Sequence, residues 1–160
     1  MGDISDMQKL NDLPTTQCRK WYNNWVQENA KGAVLDVGKS AHWDYGFPTL
    51  DINKRKNPTY LGDITERTIF ADEAFDVVLC NGLYETVVDP QKMIDEVIRI
   101  TKQVAIFGFV GERYRPYRYP WKFYQGKETF PHGYKIVHYN LDDYYHFIVI
   151  TKGNEKDLIE

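Results

Sequence analysis

Short apolar runs recur along the chain, and each of them ends in a glycine or a polar turn. Such runs are typical of strands that are buried on both faces of a parallel sheet. They predict strands at residues 33–37, 49–52, 59–61, 75–80 and 104–109. Two later runs, 134–139 and 145–151, are separated by the polar residues 140–144, which suits an antiparallel hairpin.

Two other stretches have helical spacing. The first helix is predicted to begin at Thr15 or Thr16 and to end at Gly32. Asp89-Pro90 is predicted to start the second, because Asp is a favoured N-cap and Pro suits the first turn. The order of elements predicts an α/β fold, a Rossmann-like and mostly parallel sheet with helices on both faces and an antiparallel C-terminal hairpin. We expect a single domain over residues 1–160, with flexible ends at 1–14 and 153–160.

Composition narrows the class of protein further. The formal net charge of −3 gives no reason to expect a nucleic-acid-binding or polybasic membrane protein. Two cysteines, Cys18 and Cys80, do not make a disulfide framework. The chain has no apolar run of membrane-span length and no secretory signal pattern at its start, so we expect a cytoplasmic protein without membrane contact.

Two of the predicted strands end near a carboxylate. Asp36 lies in the strand at 33–37, and Asp51 lies in the strand at 49–52. Rossmann-like sheets present such a carboxylate to a ribose, whose two hydroxyls Asp51 could bind. A helix-cap or turn aspartate is the alternative for Asp51. The connection between these strands, residues 39–48, is short for a parallel crossover, which normally contains a helix.

Four segments in chain order resemble motifs of the class I S-adenosylmethionine-dependent methyltransferases, in their small-molecule, type 11-like branch. They are Val34-Leu-Asp-Val-Gly38, Leu50-Asp-Ile-Asn53, Gly62-Asp-Ile64 and Phe75-Asp-Val-Val-Leu-Cys-Asn-Gly-Leu-Tyr-Glu-Thr-Val-Val-Asp-Pro90. The last segment is similar to the family's fourth strand, the loop after it and the following helix start. The resemblance covers residues 21–109 and implies S-adenosylmethionine as the cofactor.

The resemblance also implies a role for each motif. Asp36 would neighbour the methionine amino group, and Asp63 with Ile64 would contact adenine. The alternatives are structural roles without a ligand. Asp36 would then bind nearby backbone amides, and Asp63 would be a turn aspartate. The loop after the fourth strand would line the methyl-transfer pocket. Tyr84, Glu85 or a group on the aromatic loop at 113–124 could position the acceptor. The cofactor-binding candidates are Asp36, Gly38, Lys39, Asp51, Ile52, Asp63, Ile64, Asn81, Gly82 and Leu83.

The glycine series of the family is mostly missing, because only Gly38 and the distant Gly46 remain. This loss argues against a dinucleotide, whose pyrophosphate needs the glycine turn and a helix N-terminus. S-adenosylmethionine has no phosphate, and Lys39 or Ser40 could hold its methionine carboxylate instead. The four histidines show no metal-ligand spacing, so we expect no metal.

Residues 113–124 are rich in Arg, Tyr, Pro and Trp and follow the fifth predicted strand. We expect an ordered loop in which Arg113, Tyr117 and Trp121 form a wall of the substrate site. A proline-stiffened cover of the sheet, or a contact in a possible homo-oligomer, is the alternative. Single-stranded nucleic acid fits less well, since only this short patch is basic.

The leading hypothesis is methyl transfer from S-adenosylmethionine to a small-molecule acceptor by in-line displacement. No catalytic base is identifiable, and positioning alone is enough when the acceptor is already nucleophilic. One alternative is a non-catalytic relative that uses the fold for partner binding or oligomerisation. Another is an enzyme that cleaves S-adenosylmethionine.

Overall fold

The computed structural model describes residues 13–39, 44–111, 124 and 126–153. The substrate candidates Arg113, Tyr117 and Trp121 lie outside these residues, as do nearly all of the ends predicted to be flexible. The chain divides into two compact units, Met1–Ala30 and Lys31–Glu160.

The second unit is built on one sheet of seven strands. The strands are β1 (Val34–Val37), β2 (Thr49–Asp51), β3 (Tyr60–Leu61), β4 (Phe75–Asn81), β5 (Thr101–Val110), β6 (Lys135–Leu141) and β7 (Tyr145–Thr151). Their spatial order is β3-β2-β1-β4-β5-β7-β6. Strands β1 to β5 run parallel to one another, and β7 pairs antiparallel with both β5 and β6. The predicted mostly parallel sheet with an antiparallel C-terminal hairpin is confirmed.

The carboxyl ends of the central strands meet at one edge because their registers are aligned. Val37 of β1 pairs with Cys80 of β4, which pairs with Phe107 of β5. Beyond β1, the amide N–H of Gly38 donates to the carbonyl of Leu50 at 2.7 Å. The described part of the β1–β2 connection, Lys39 and residues 44–48, contains no helix. A short connection therefore joins β1 and β2, as the sequence predicts.

A helix of the second unit, α2 (Pro90–Ile100), begins where the sequence predicts. The side chain of Asp89 accepts a hydrogen bond from the amide of Lys92, which satisfies one of the unpaired donors at the helix start. The buried residues of this helix are Met93, Ile94, Glu96, Val97, Ile98 and Ile100. The chain enters β5 directly at Thr101, three residues before the predicted strand, and the Thr101 hydroxyl donates to the Val97 carbonyl at 2.6 Å.

The first unit contains helix α1 (Leu13–Asn29). Cys18, Tyr22 and Val26 are its buried apolar residues among those described. They are spaced four residues apart, which places them on one face of the helix. Neither α1 nor any other described helix has the length and apolarity that crossing a membrane requires.

Candidate functional site

A cavity of about 230 Å³ opens at the carboxyl ends of β1, β2 and β3. Six of the predicted cofactor-binding residues line it: Gly38, Asp51, Ile52, Asp63, Ile64 and Leu83. The other lining residues are Val37, Leu50, Gly62, Thr65, Thr86, Val87 and Val88. The cavity is slightly smaller than the roughly 300–1,000 Å³ typical of pockets that bury a whole small ligand. Its walls are mainly aliphatic, and Asp51 and Asp63 are the two acidic residues among them.

Asp51 ends β2 with a carboxylate that the backbone holds in place. Its Oδ2 accepts from the amide of Lys39 at 2.9 Å, and its Oδ1 accepts from the amide of Asn53 at 2.7 Å. The ammonium of Lys56 lies 3.7 Å from Oδ2. Each carboxylate oxygen has about two acceptor sites. Both oxygens of Asp51 can therefore accept a further hydrogen bond from a ligand in the cavity.

The backbone conformation at position 38 and the side chain beside it both require a glycine there. Its φ of +84° lies in the left-handed region, which residues with a side chain rarely adopt. A Cβ placed there would lie 2.9 Å from Cδ2 of Leu83. The missing side chain therefore lets the loop after β4 approach the end of β1 closely, and this approach forms one wall of the cavity.

Asp63 and Ile64 follow β3, with Ile64 buried and Asp63 partly buried. Asp63 Oδ1 accepts from both the amide of Thr65, at 2.9 Å, and its hydroxyl, at 2.7 Å. Asp63 thus does act as a turn aspartate, and its Oδ2 has no hydrogen-bond partner among the described residues. Ile52 also lines the cavity and is 69% exposed, so an apolar side chain next to Asp51 in the chain is open to a ligand.

Asp36 is a buried carboxyl that does not line the cavity. Burial raises the pKa of Asp36 from 3.8 to about 8, and repulsion from Asp44 adds to the shift. Asp36 is therefore mainly protonated at neutral pH. A cationic or hydrogen-bonding ligand beside Asp36 would favour the carboxylate form, and strongly shifted pKa values are common at functional sites.

Three other predicted residues are placed away from the cavity lining. The ammonium of Lys39 donates to the carbonyl of Asn57 at 3.2 Å. The amide oxygen of Asn81 accepts from the hydroxyl of Tyr145 at 2.9 Å, towards β7. Gly82, with φ of +78°, turns the chain out of β4 and donates to the carbonyl of Gly108 at 3.1 Å.

Tyr84 points towards the end of β5 and into an acidic environment. Its hydroxyl donates to Oε1 of Glu128 at 2.6 Å. The neighbouring Glu85 is 4% exposed, and its Oε1 accepts from the amide of Val110 at 2.7 Å. Burial raises the pKa of Glu85 from 4.5 to about 7. Burial and the hydrogen bond to Glu128 both raise the pKa of Tyr84.

Aromatic rings continue from Tyr84 across β5 to the hairpin. The ring centroids of Tyr84 and Phe109 are 4.7 Å apart, and those of Phe109 and Tyr124 are 4.8 Å apart. Tyr124 also contacts His138 and His146, whose facing ring nitrogens are 2.8 Å apart. Burial, followed by the proximity of His138, lowers the pKa of His146.

Sequence reasoning missed Glu128, Tyr124 and the two paired histidines. Glu128 meets Tyr84 across 44 residues of chain, and no local pattern signals a contact of that kind. His138 and His146 could have been paired, because their strands form the predicted hairpin. In the observed register His138 pairs with Ile148 and His146 pairs with Asn140, so the two histidines are diagonal neighbours, and only the structure fixes this register.

Residues 33–109 match the family model described as "Methyltransferase domain". No curated protein matches the chain. Solved structures match it at low sequence identity. A SAM-dependent methyltransferase of Thermotoga maritima is 14% identical, with a TM-score of 0.57 over 84% of this chain and 96% of that one.

The magnesium protoporphyrin IX methyltransferase of Synechocystis is similar to the chain in the same way. Its structure with bound SAM is 14% identical, with a TM-score of 0.61 over 88% of this chain and 81% of that one. The same enzyme with bound SAH gives a TM-score of 0.61 over 92% of this chain and 87% of that one. At these identities the structural matches establish the shared fold.

Proposed function

We propose that the chain transfers a methyl group from S-adenosylmethionine to a small-molecule acceptor, because residues 33–109 match the family model described as "Methyltransferase domain". The observation that carries the proposal is the cavity at the carboxyl ends of β1, β2 and β3, in which six predicted cofactor-binding residues come together. A crevice outside these strand ends is where open α/β sheets bind their ligands.

The cavity fits the nucleoside part of the cofactor. The ring of adenine would pack between Ile52, Ile64 and Leu83, whose side chains supply the apolar walls. Asp63 Oδ2 would accept from the exocyclic amine of adenine. Asp51 would accept from the ribose hydroxyls while its backbone hydrogen bonds keep it oriented. Preorganised acceptors of this kind reduce the entropy lost on binding.

The methionine part would lie towards Asp36 and the loop after β4. An ammonium group beside Asp36 would stabilise the ionised carboxyl and offset the cost of its burial. Gly82 and Leu83 would bring their backbone close to the same end of the ligand. Lys39 would need to leave the carbonyl of Asn57 to reach the methionine carboxylate.

When bound, the cofactor supplies an electrophilic methyl group on a sulfonium. The residues of the chain would bind the cofactor, orient it towards the acceptor and exclude water. Leu83 packs against Gly38, and Tyr84, whose hydroxyl donates to Glu128, would lie on the acceptor side. Holding two reactants in line contributes about 7–11 kcal/mol to lowering a barrier when the geometry is well matched.

Calorimetric titration with S-adenosylmethionine and S-adenosylhomocysteine tests the proposal. Asp51→Asn should weaken binding about tenfold or more, because it replaces a charged acceptor of two hydroxyl hydrogen bonds. Asp95→Asn is the matched control, since Asp95 is exposed on α2 and makes its side-chain contact with Gln91 only. Wild-type protein that takes up neither ligand at millimolar concentration would contradict the proposal.

A second measurement separates methyl transfer from the alternatives. Protein incubated with S-adenosylmethionine and a pool of small molecules should convert the cofactor to S-adenosylhomocysteine only when an acceptor is present. Breakdown of the cofactor without an acceptor would indicate the cleaving enzyme. Tight binding with no turnover in any pool would favour the non-catalytic relative.

A further inference from the structure

Arg99 and Glu96 of α2 form an ion pair with little exposure to solvent. Nε and Nη2 of Arg99 each donate to one carboxylate oxygen of Glu96, both at 2.7 Å. The Arg99 side chain is 17% exposed and that of Glu96 is 9% exposed. Because two parallel hydrogen bonds fix the orientation of both groups, the pair offers its remaining hydrogen-bonding atoms in defined directions.

The pair uses these atoms to bind the loop of residues 66–72. The amide and the hydroxyl of Thr68 donate to Oε2 of Glu96, at 2.7 and 2.6 Å. We call Arg99, Glu96 and Thr68 the Arg99 network. Through this network α2 holds the middle of the loop by both backbone and side chain.

Phe70 fixes the same loop a second time. Its carbonyl accepts from Nη2 of Arg99 at 2.8 Å. Its ring packs edge-on against Tyr60 of β3 and Phe75 of β4, with ring centroids 4.9 Å apart in each pair. The loop is therefore attached to the sheet as well as to α2.

The loop begins at the turn that carries Asp63 at the cavity. The amide of Glu66 donates to the carbonyl of Asp63 at 3.1 Å, and Thr65 donates twice to Asp63 Oδ1. Asp63 and Thr65 line the cavity, whereas no member of the Arg99 network does. Since one residue separates Glu66 from Thr68, the anchored position of Thr68 limits the positions that the turn can take.

We infer that the Arg99 network positions Asp63, so that its Oδ2 meets the exocyclic amine of adenine. This inference rests on the proposed function, because it concerns the adenine end of the same site. Arg99 is a positioning residue, since it acts on the ligand only through Thr68 and the turn. A group that recognises one hydrogen-bond donor has to be held to within about 0.5 Å, which a loosened turn would not do.

Two ligands that differ in one group test the inference: S-adenosylhomocysteine and its analogue with hydrogen in place of the exocyclic amine. Calorimetry on the full chain gives both affinities, and their ratio measures the contribution of the amine. The wild-type ratio should be about tenfold or more, as expected for a hydrogen bond to a carboxylate. Arg99→Gln should lower this ratio about threefold or more. Lys92→Gln removes a positive charge from an exposed position of the same helix and should leave the ratio unchanged.

The ratio separates positioning from a general loss of stability. Partial unfolding lowers the affinity for both ligands by the same factor, so it leaves their ratio unchanged. Thr68→Val removes one hydrogen bond to Glu96 and should lower the ratio in the same direction, which keeps the test available if Arg99→Gln does not fold. Affinities that fall equally for both ligands in these variants would overturn the inference.

Asp63→Asn tests the route through the turn. The ratio should fall towards one in this variant, because the carboxylate that accepts from the amine is gone. Arg99→Gln added to Asp63→Asn should lower the ratio no further, since both changes act on one interaction. A further decrease would mean that the Arg99 network reaches adenine by another route, and would refute the inference.

The wild-type titration distinguishes the inference from the proposed function. Protein that binds S-adenosylhomocysteine and the analogue equally well would refute only the inference, because Asp63 would then not recognise the amine. Protein that binds neither ligand at millimolar concentration would contradict the proposed methyl transfer, and the inference with it.

Discussion

Asp36 lies at the end of β1 in a position that is unfavourable for a carboxylate. It is 6% exposed, and the negative Asp44 lies near enough to raise its pKa. A folded protein gains nothing in stability from such an arrangement at neutral pH. Buried carboxyls with raised pKa values are common at functional sites, where stability and activity often conflict.

The stability of the protein should therefore fall between about pH 4 and pH 8. The folded pKa of Asp36, about 8, is raised above its ordinary 3.8, so its stabilising contribution is complete below the lower value and is lost as the pH rises through the higher one. Asp36→Asn should raise the free energy of unfolding by roughly 2 kcal/mol or more at pH 8 and change it little at pH 4. Urea unfolding at both values measures this, and an equal effect at both would contradict it.

Gly38 and Gly46 form a matched pair for a second prediction at this scale. Their φ values are +84° and +81°, but a Cβ at Gly46 would meet nothing within 4 Å, whereas one at Gly38 would meet Leu83. Gly46→Ala should cost about 1 kcal/mol of stability from backbone strain alone. Gly38→Ala should cost more and should also weaken binding of S-adenosylhomocysteine, because Leu83 would have to move.

Denaturant unfolding and calorimetric titration of the two variants measure these effects. Binding that is weakened equally by Gly38→Ala and Gly46→Ala would show that the Gly38–Leu83 contact does not shape the site.

At the scale of elements, Arg99 of α2 binds the loop that follows Asp63 and Ile64. The guanidinium of Arg99 donates to Glu96, to Asp72 at 2.8 Å and to the carbonyl of Phe70 at 2.8 Å. Glu96 in turn accepts from the amide and hydroxyl of Thr68. The hydrogen bonds from Arg99 and Thr68 lower the pKa of Glu96 despite its partial burial.

Arg99→Lys should loosen this loop because a lysine ammonium cannot reproduce the planar set of donors. We expect a loss of about 1–2 kcal/mol in the free energy of unfolding and faster hydrogen exchange at the Thr68 amide. Lys92→Arg, an exposed change on the same helix, is the control. Unchanged exchange at Thr68 would mean that Glu96 holds the loop without Arg99.

The elements were predictable from the sequence wherever a local signal existed. The strand at 33–37 and the start of α2 at Asp89-Pro90 were visible because apolar runs and capping residues act over a few positions. The lining of the cavity was partly predictable, since strand ends such as Asp51 meet at one edge of a parallel sheet. The hydrogen bond between Tyr84 and Glu128 was not, because it depends on how a loop returns to α2 through Gln91.

At the scale of the whole molecule, the cavity lies where the strand order reverses direction. From β1 the chain builds outward through β2 and β3, and from β4 it builds the other way through β5. The chain after β1 leads to one half of the sheet and the chain after β4 leads to the other, and open α/β sheets bind their ligands outside the carboxyl ends of strands at such a point. A ligand held there contacts both halves of the sheet, through Asp51 on one side and Leu83 on the other.

A ligand in that crevice should stabilise the fold as a whole. S-adenosylhomocysteine at 100 times its dissociation constant should raise the free energy of unfolding by about 2.7 kcal/mol, if it binds only the folded state. In Asp51→Asn the same ligand concentration should stabilise less, by the amount that its weaker affinity predicts. Denaturant unfolding with and without ligand, beside calorimetric affinities, measures both. Stabilisation that stays equal in the variant would place the ligand somewhere other than the end of β2.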